Sequence, residues 1–352
     1  MEKGKKLTKK ISKKTTQTFL ELAREILAHL PQRSQEILKK RYGLASGKLE
    51  TLEKIGSDYQ ITRERVRQII SDSIKKITKI ANENAFKLAE ERIILEISKR
   101  DGIISEEYLF QKLALGNLRE EKAIAFFALC SERIMEVENK ELLKKAWSVS
   151  GDILAKVENF SKLAKDIFSL SKVPLSDVEI VERITKQRPE MTKNQVLSYL
   201  DVLSELSKNK FGKWGFTHWM EINPKGTRER IYLILKEENR PLHFTEITKF
   251  IDTFGISKRK SHIQTVHNEL IKDDRFVLIG RGLYALREWG YVPGTIKEVI
   301  KRILEKSGQS MTKEELLVEI AKSRQVKKTT VMINLNNKKE FVKQDNRYGL
   351  KK

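Results

Sequence analysis

One cysteine, Cys130, is present among 352 residues. A disulfide framework and a cysteine-rich zinc site are therefore excluded, and a reducing compartment is the expected setting. Prolines number six and glycines 17, which argues against long coils. The longest uninterrupted apolar run, "AIAFFALC" at 123–130, is far too short to span a bilayer. Histidines are few: His29, His218, His243, His262 and His267. None sits in a His-Glu-x-x-His motif, and His262 and His267 are spaced to fall on different faces of a shared helix. No Asp/Glu constellation lies on a glycine-rich framework that would mark a nuclease or phosphatase. The expectation is a non-enzyme with no metal, no cofactor and no small-molecule substrate.

What is abundant is positive charge. Lys and Arg total 70 against 48 Asp and Glu, a net charge of +22. Solubility alone accommodates such an excess. A polyanionic partner explains it more specifically, above all nucleic acid. An acidic membrane surface is a third option, but no lipidation signal supports it, and no membrane partner is expected. Hydrophobic residues make up 39% of the chain and charged residues 34%, enough for several small cores. Lys, Glu, Leu and Ile dominate, so the fold is expected to be mainly α. The N-terminus, "MEKGKKLTKKISKK", has seven lysines and no apolar run long enough for a signal peptide. Residues 1–17 read as a flexible basic arm, and the setting as cytoplasmic and nucleoid-associated.

Residues 18–80 carry the sharpest pattern. "TFLELAREILAHL" places Phe19, Leu22, Ile26 and Leu30 at helical spacing. In "PQRSQEILKKRYGL", Pro31 suits a first helical turn and Gly43 the position just past a C-terminus. Thr51 can cap a short helix through Asp58, "YQI" is a tight turn, and Thr62 can cap a second helix. Val66, Ile69, Ile70, Ile74 and Ile77 form the apolar stripe of that helix. Two helices joined by about three residues, the second basic and polar at its start, make a helix-turn-helix. Its N-terminal side chains are those that reach base edges in the major groove.

"LPQRSQEILKKRYGL" and "TLEKIGSDYQITRERVRQI" resemble region four of the sigma-70 family of bacterial transcription factors. The resemblance implies a helix that reads the −35 promoter element and a domain that docks on the flap of the RNA polymerase core. It places Arg63, Glu64, Arg67 and Gln68 at base edges, where Arg pairs with guanine, Gln with adenine and Glu accepts from cytosine. Thr62, Arg65 and Lys75 are assigned to the DNA backbone, which positions without specifying. Two departures stand out. Gln60 occupies the usual small turn position, and the large aromatic-rich segment that melts the −10 region is not found. A complete sigma factor is therefore not expected.

The remaining residues repeat. "IISEEYLFQKL", "PLSDVEIVERI", "HFTEITKFI" and "SMTKEELLVEI" align on Ser105, Ser176, Thr245 and Thr312, with capping boxes expected at Ser176–Glu179 and Thr312–Glu315. Trp147, Trp214, Tyr284 and Tyr348 fall on the closing strands and are expected to pack a hairpin onto helices. Each unit reads as helix, capped helix, helix and β-hairpin, a winged helix. About four tandem winged-helix units with small hairpin wings result, at 81–150, 151–222, 223–291 and 292–352. "GRG" at 280–282 reads as a hairpin turn rather than a phosphate loop.

The unit at 227–290 resembles the HARE-HTH family through "TVHNEL", "DDRFVLIGRGLYAL" and Trp289. Relatives in polymerase subunits, restriction systems and chromatin proteins imply a nucleic-acid or polymerase adaptor. Lys258, Arg259, Lys260 and His262 are expected at the start of its third helix, where the three cations suit DNA phosphates, although a solvated charge run reads the same way. Arg324, Lys327 and Lys328 are the counterparts in the last unit. The expectation is a DNA-binding transcription regulator that recognises a −35-like element in double-stranded DNA and associates with RNA polymerase. The alternatives are a polymerase accessory protein competing with sigma factors, and a structural DNA binder without sequence preference.

Overall fold

The computed structural model describes residues 17–79, 84–257, 259–291, 293–323, 326–337 and 339–351. It is mainly helical with small sheets. It divides into two compact units, one running to Ser207 and including Trp214–Thr217, the other comprising Lys208–Lys213 and the residues from His218 onward. Except for Gln17, the basic arm lies outside the described residues.

The first unit opens with α1 (Phe19–Leu27), α2 (Gln32–Arg41), α3 (Leu52–Asp58) and α4 (Arg63–Lys79). Thr18 begins α1 with a complete capping box to Glu21. Gly43 follows α2 at φ +69°, a left-handed conformation that glycine adopts without a Cβ penalty. The chain continues through α5 (Asn84–Lys99), β1 (Ile103–Ser105), α6 (Glu106–Leu113), α7 (Leu118–Cys130), β2 (Met135–Val137) and β3 (Ala146–Ser148). It then repeats that order with α8 (Ile153–Ser171), β4 (Leu175–Ser176), α9 (Asp177–Gln187), α10 (Lys193–Val202), β5 (Leu206–Lys208) and β6 (Lys213–Phe216).

The second unit holds two further passages through the same order. The first is α11 (Thr227–Glu238), β7 (Leu242–His243), α12 (Phe244–Thr253), α13 (Ile263–Lys272), β8 (Phe276–Gly280) and β9 (Leu283–Leu286). The second is α14 (Ile296–Ser307), β10 (Met311–Thr312), α15 (Lys313–Ser323), α16 (Lys328–Leu335), β11 (Phe341–Gln344) and β12 (Arg347–Leu350). In all four repeats the closing strand lies between the other two of a three-stranded sheet.

The repeats share a physical device. The first strand ends on a residue that caps the next helix: Ser105, Ser176, His243 and Thr312. The boxes at Ser176–Glu179 and Thr312–Glu315 are formed. In the third repeat the equivalent of Ser105 is His243, not Thr245. The Thr245 backbone N–H donates to His243 Nδ1, and Glu246 closes the box on the His243 N–H. Trp147, Trp214, Tyr284 and Tyr348 are all buried on the closing strands. The two tryptophans also donate to the first acid of the capped helix, Trp147 to Glu106 at 3.2 Å and Trp214 to Asp177 at 2.7 Å.

One core runs through the first unit from Phe19 to Trp147. Phe127 meets both Phe19 and Phe86, with ring centroids 6.4 and 5.6 Å apart. The buried Glu120 of α7 accepts from the Phe19 backbone N–H at 2.8 Å and from that of Leu20, so it supplies negative charge to the start of α1. Arg92 lies 4.1 Å over the Phe19 ring and donates to the Gln17 carbonyl. Residues 19–77 therefore share one core with α5 and α7. In the second unit, the third and fourth repeats each have a core of their own.

Candidate nucleic-acid interface

α3, the turn at Tyr59–Ile61 and α4 form the helix-turn-helix. Its geometry depends on Gly56. A Cβ there would sit 2.6 Å from the Ile61 carbonyl oxygen, and that carbonyl belongs to the backbone of the turn. The Ile61 N–H donates back to the Gly56 carbonyl at 2.9 Å, tying the turn to α3. Gln60 occupies the left-handed region at φ +53° despite its side chain, a conformation that costs roughly 1 kcal/mol outside glycine. The turn is also held from α2. The Tyr59 hydroxyl donates to Glu36 at 2.8 Å, Arg33 donates to the Tyr59 carbonyl at 3.2 Å, and Lys40 pairs with Asp58. Burial and the bond to Glu36 raise the Tyr59 hydroxyl above the ordinary phenol range, so it stays a donor.

α4 begins where Thr62 accepts from the Arg65 N–H at 3.2 Å. Val66, Ile70, Ser73 and Ile77 are buried at helical spacing. Glu64, Gln68, Ser71 and Lys75 repeat that spacing two residues earlier, which places them on the opposite face, and all four are exposed. Ile69 and Ile74 are only half-buried at the edge of the stripe. Lys75 stands two turns beyond Gln68 on the same exposed row.

The side chains at the start of α4 are organised before any ligand arrives. Arg67 grips Glu64 with two nitrogens, Nε to Oε2 at 2.9 Å and an Nη to Oε1 at 2.7 Å. These hydrogen bonds hold the Glu64 carboxyl below the usual carboxylate range. Arg65 donates to Gln68 at 3.2 Å, and Arg63 pairs with Glu53 of α3 at 2.8 Å. Arg63 and Arg67 remain 70% and 65% exposed, so the pairs stand in solvent, where screening leaves them little weight in stability. They set side-chain direction more than stability. Glu53 and Gly56 escape sequence reasoning about the reading helix because they lie on its partner. A glycine inside a seven-residue helix was the available sign.

The third repeat supplies the other assigned residues. Lys258, and Arg324 of the fourth repeat, lie outside the described residues. Arg259 and Lys260 are exposed just before α13. Thr62, Arg63, Glu64, Arg65, Arg67 and Gln68 are thus gathered at one helix end, while Arg259 and Lys260 belong to the third repeat. Among the described residues no group of His, Cys, Asp and Glu is arranged to hold a metal ion, and no helix is long and apolar enough to cross a membrane.

Residues 26–79 match the family profile of sigma-70, region 4. RNA polymerase sigma factor SigA of Lactococcus lactis subsp. cremoris is 42% identical over 53 residues, 15% of this chain and 15% of that protein. RNA polymerase principal sigma factor HrdD of Streptomyces viridifaciens is 35% identical over 65 residues, 18% of this chain and 20% of that protein. RNA polymerase sigma factor SigA of Nostoc sp. is 42% identical over 53 residues, 15% and 14% of the two chains. The chain therefore spans no more than a fifth of the length of these relatives.

Proposed function

We propose that this protein is a DNA-binding transcription regulator. Its α3–α4 helix-turn-helix reads a −35-like promoter element in duplex DNA, and it works in association with RNA polymerase. The observation that carries the reading is the exposed set Arg63, Glu64, Arg67 and Gln68 at the start of α4, inside the segment that matches sigma-70 region 4. A recognition helix enters the major groove by its N-terminal end. There Arg67 can exchange its pair with Glu64 for a bidentate contact to guanine, and Glu64 is then free to accept from cytosine. The four repeats are read as winged helices, the third of HARE-HTH type, and the whole acts by binding rather than by catalysis.

A polymerase-docking reading through the apolar face of the first eighty residues has less support. Phe19, Leu22 and Ile26 of that face are fully buried in the core shared with α5 and α7. In vitro selection of the full chain against randomised duplexes tests the proposal. Enrichment of a −35-like hexamer is expected, and a pool that stays random after repeated rounds contradicts it.

A further inference from the structure

In a helix-helix-hairpin unit the third helix and the hairpin tip are the parts free to meet a ligand, provided they are not already packed. In the first unit the third helices are packed. α7 buries seven of its thirteen residues, among them Phe126 and Phe127. α10 buries five of ten and is docked on the preceding repeat: Asp201 accepts from Ser105 at 2.6 Å, and Arg100 donates to the Leu197 carbonyl at 3.2 Å. In the second unit they are open. α13 buries only Val266 and Leu270, and α16 only Val331 and Leu335.

Charge follows the same division. Residues 81–207 contain 19 Lys and Arg against 22 Asp and Glu, whereas residues 208–352 contain 31 against 17. In the second unit the excess also stands beside open helices. In the first two repeats Lys99, Arg133, Lys145, Lys156 and Lys165 stand in ion pairs, and the exposed Arg119 and Lys193 lie on the packed helices α7 and α10. Arg259 and Lys260 before α13, Arg281 at the tip of the β8–β9 hairpin, and Lys327 and Lys328 at the start of α16 are exposed, and no described carboxylate pairs with them. Unpaired cations beside an open helix complement a regular line of phosphates, and no desolvated pair has to be broken to use them.

We infer that the second unit binds the sugar–phosphate backbone of duplex DNA without regard to sequence, through the open faces at α13 and α16, and that the first two repeats do not bind DNA. This rests on the reading of the protein as a DNA binder and assigns its sequence-independent affinity to one half of the chain. The test is binding of the full chain to a scrambled duplex over a range of salt concentrations. Each phosphate contact contributes about 0.9 to the slope of log K against log salt. The variant Arg259→Gln/Lys260→Gln/Lys327→Gln/Lys328→Gln should therefore flatten the slope by about three to four. Lys156→Gln/Lys165→Gln, on the first unit, should leave it unchanged. An unchanged slope in the fourfold variant overturns the inference, as does an equal flattening in the control. So does binding to anionic phosphatidylglycerol vesicles with none to the duplex. The promoter reading is scored separately, by the ratio of affinities for −35-like and scrambled duplex. That ratio should survive in the fourfold variant, and its absence in the unmodified chain sinks the promoter reading while the slope still decides the inference.

Discussion

α4 and α13 both present cations to solvent, but in opposite states. On α4 each arginine at the N-terminal end has a partner: Arg63 with Glu53, Arg65 with Gln68, Arg67 with Glu64. Ahead of α13, Arg259 and Lys260 have no described carboxylate partner. Oriented side chains suit base edges, where direction decides affinity. Unheld ones suit phosphates, where charge alone counts and long flexible stems reach several geometries. The platforms differ in the same sense. α4 stands on a turn fixed by Gly56, Tyr59 and a core reaching to Trp147, whereas α13 sits on a compact core of its own repeat.

The largest test of this contrast is Phe127→Ala. It should cost about 3–5 kcal/mol, seen in chemical denaturation as an early transition of the first unit with that of the second unmoved. A single transition shifted throughout would show that the two platforms are not distinct. Gly56→Ala should cost about 1–3 kcal/mol, because a backbone carbonyl must move to admit the new Cβ. It should abolish preference for a −35-like duplex while leaving binding to a scrambled duplex intact at low salt. Thr62→Ala removes the cap of α4 and should cost about 1 kcal/mol in thermal unfolding, with Thr62→Ser restoring most of it.

The smallest effect concerns protons. The Glu64 carboxyl is held below the usual carboxylate range by Arg67. A depressed folded value means that its contribution is present above the ordinary glutamate value and is lost as pH falls through the lowered one. Side-chain NMR should therefore show Glu64 titrating below a typical glutamate, and Arg67→Ala should move the midpoint back up.

Much of the local structure was legible. The capping boxes at Ser176 and Thr312, the stripe of Val66, Ile70 and Ile77, and the cap at Thr62 rest on nearest-neighbour chemistry that spacing reports directly. What escaped depends on contacts distant in sequence. Glu120 meets the start of α1 across 101 positions, and no periodicity in either segment announces that pairing. The partnership of Glu53 with Arg63 needs the angle between α3 and α4, which the residues of α4 do not encode alone. The cap at His243 is hidden in the sequence because a histidine ring is an uncommon cap, and Thr245 two residues on is a more familiar one. The burial of α10 arises from docking between repeats, not from its own composition.

The most direct test of the central claim is fluorescence anisotropy at fixed salt. The unmodified chain and Arg67→Ala are each titrated with a −35-like duplex and with a scrambled duplex of equal length. A loss of about 1–3 kcal/mol on the −35-like duplex, with the scrambled duplex bound as before, is the result predicted. Equal affinity of both proteins for both duplexes, or an equal loss on each, contradicts it.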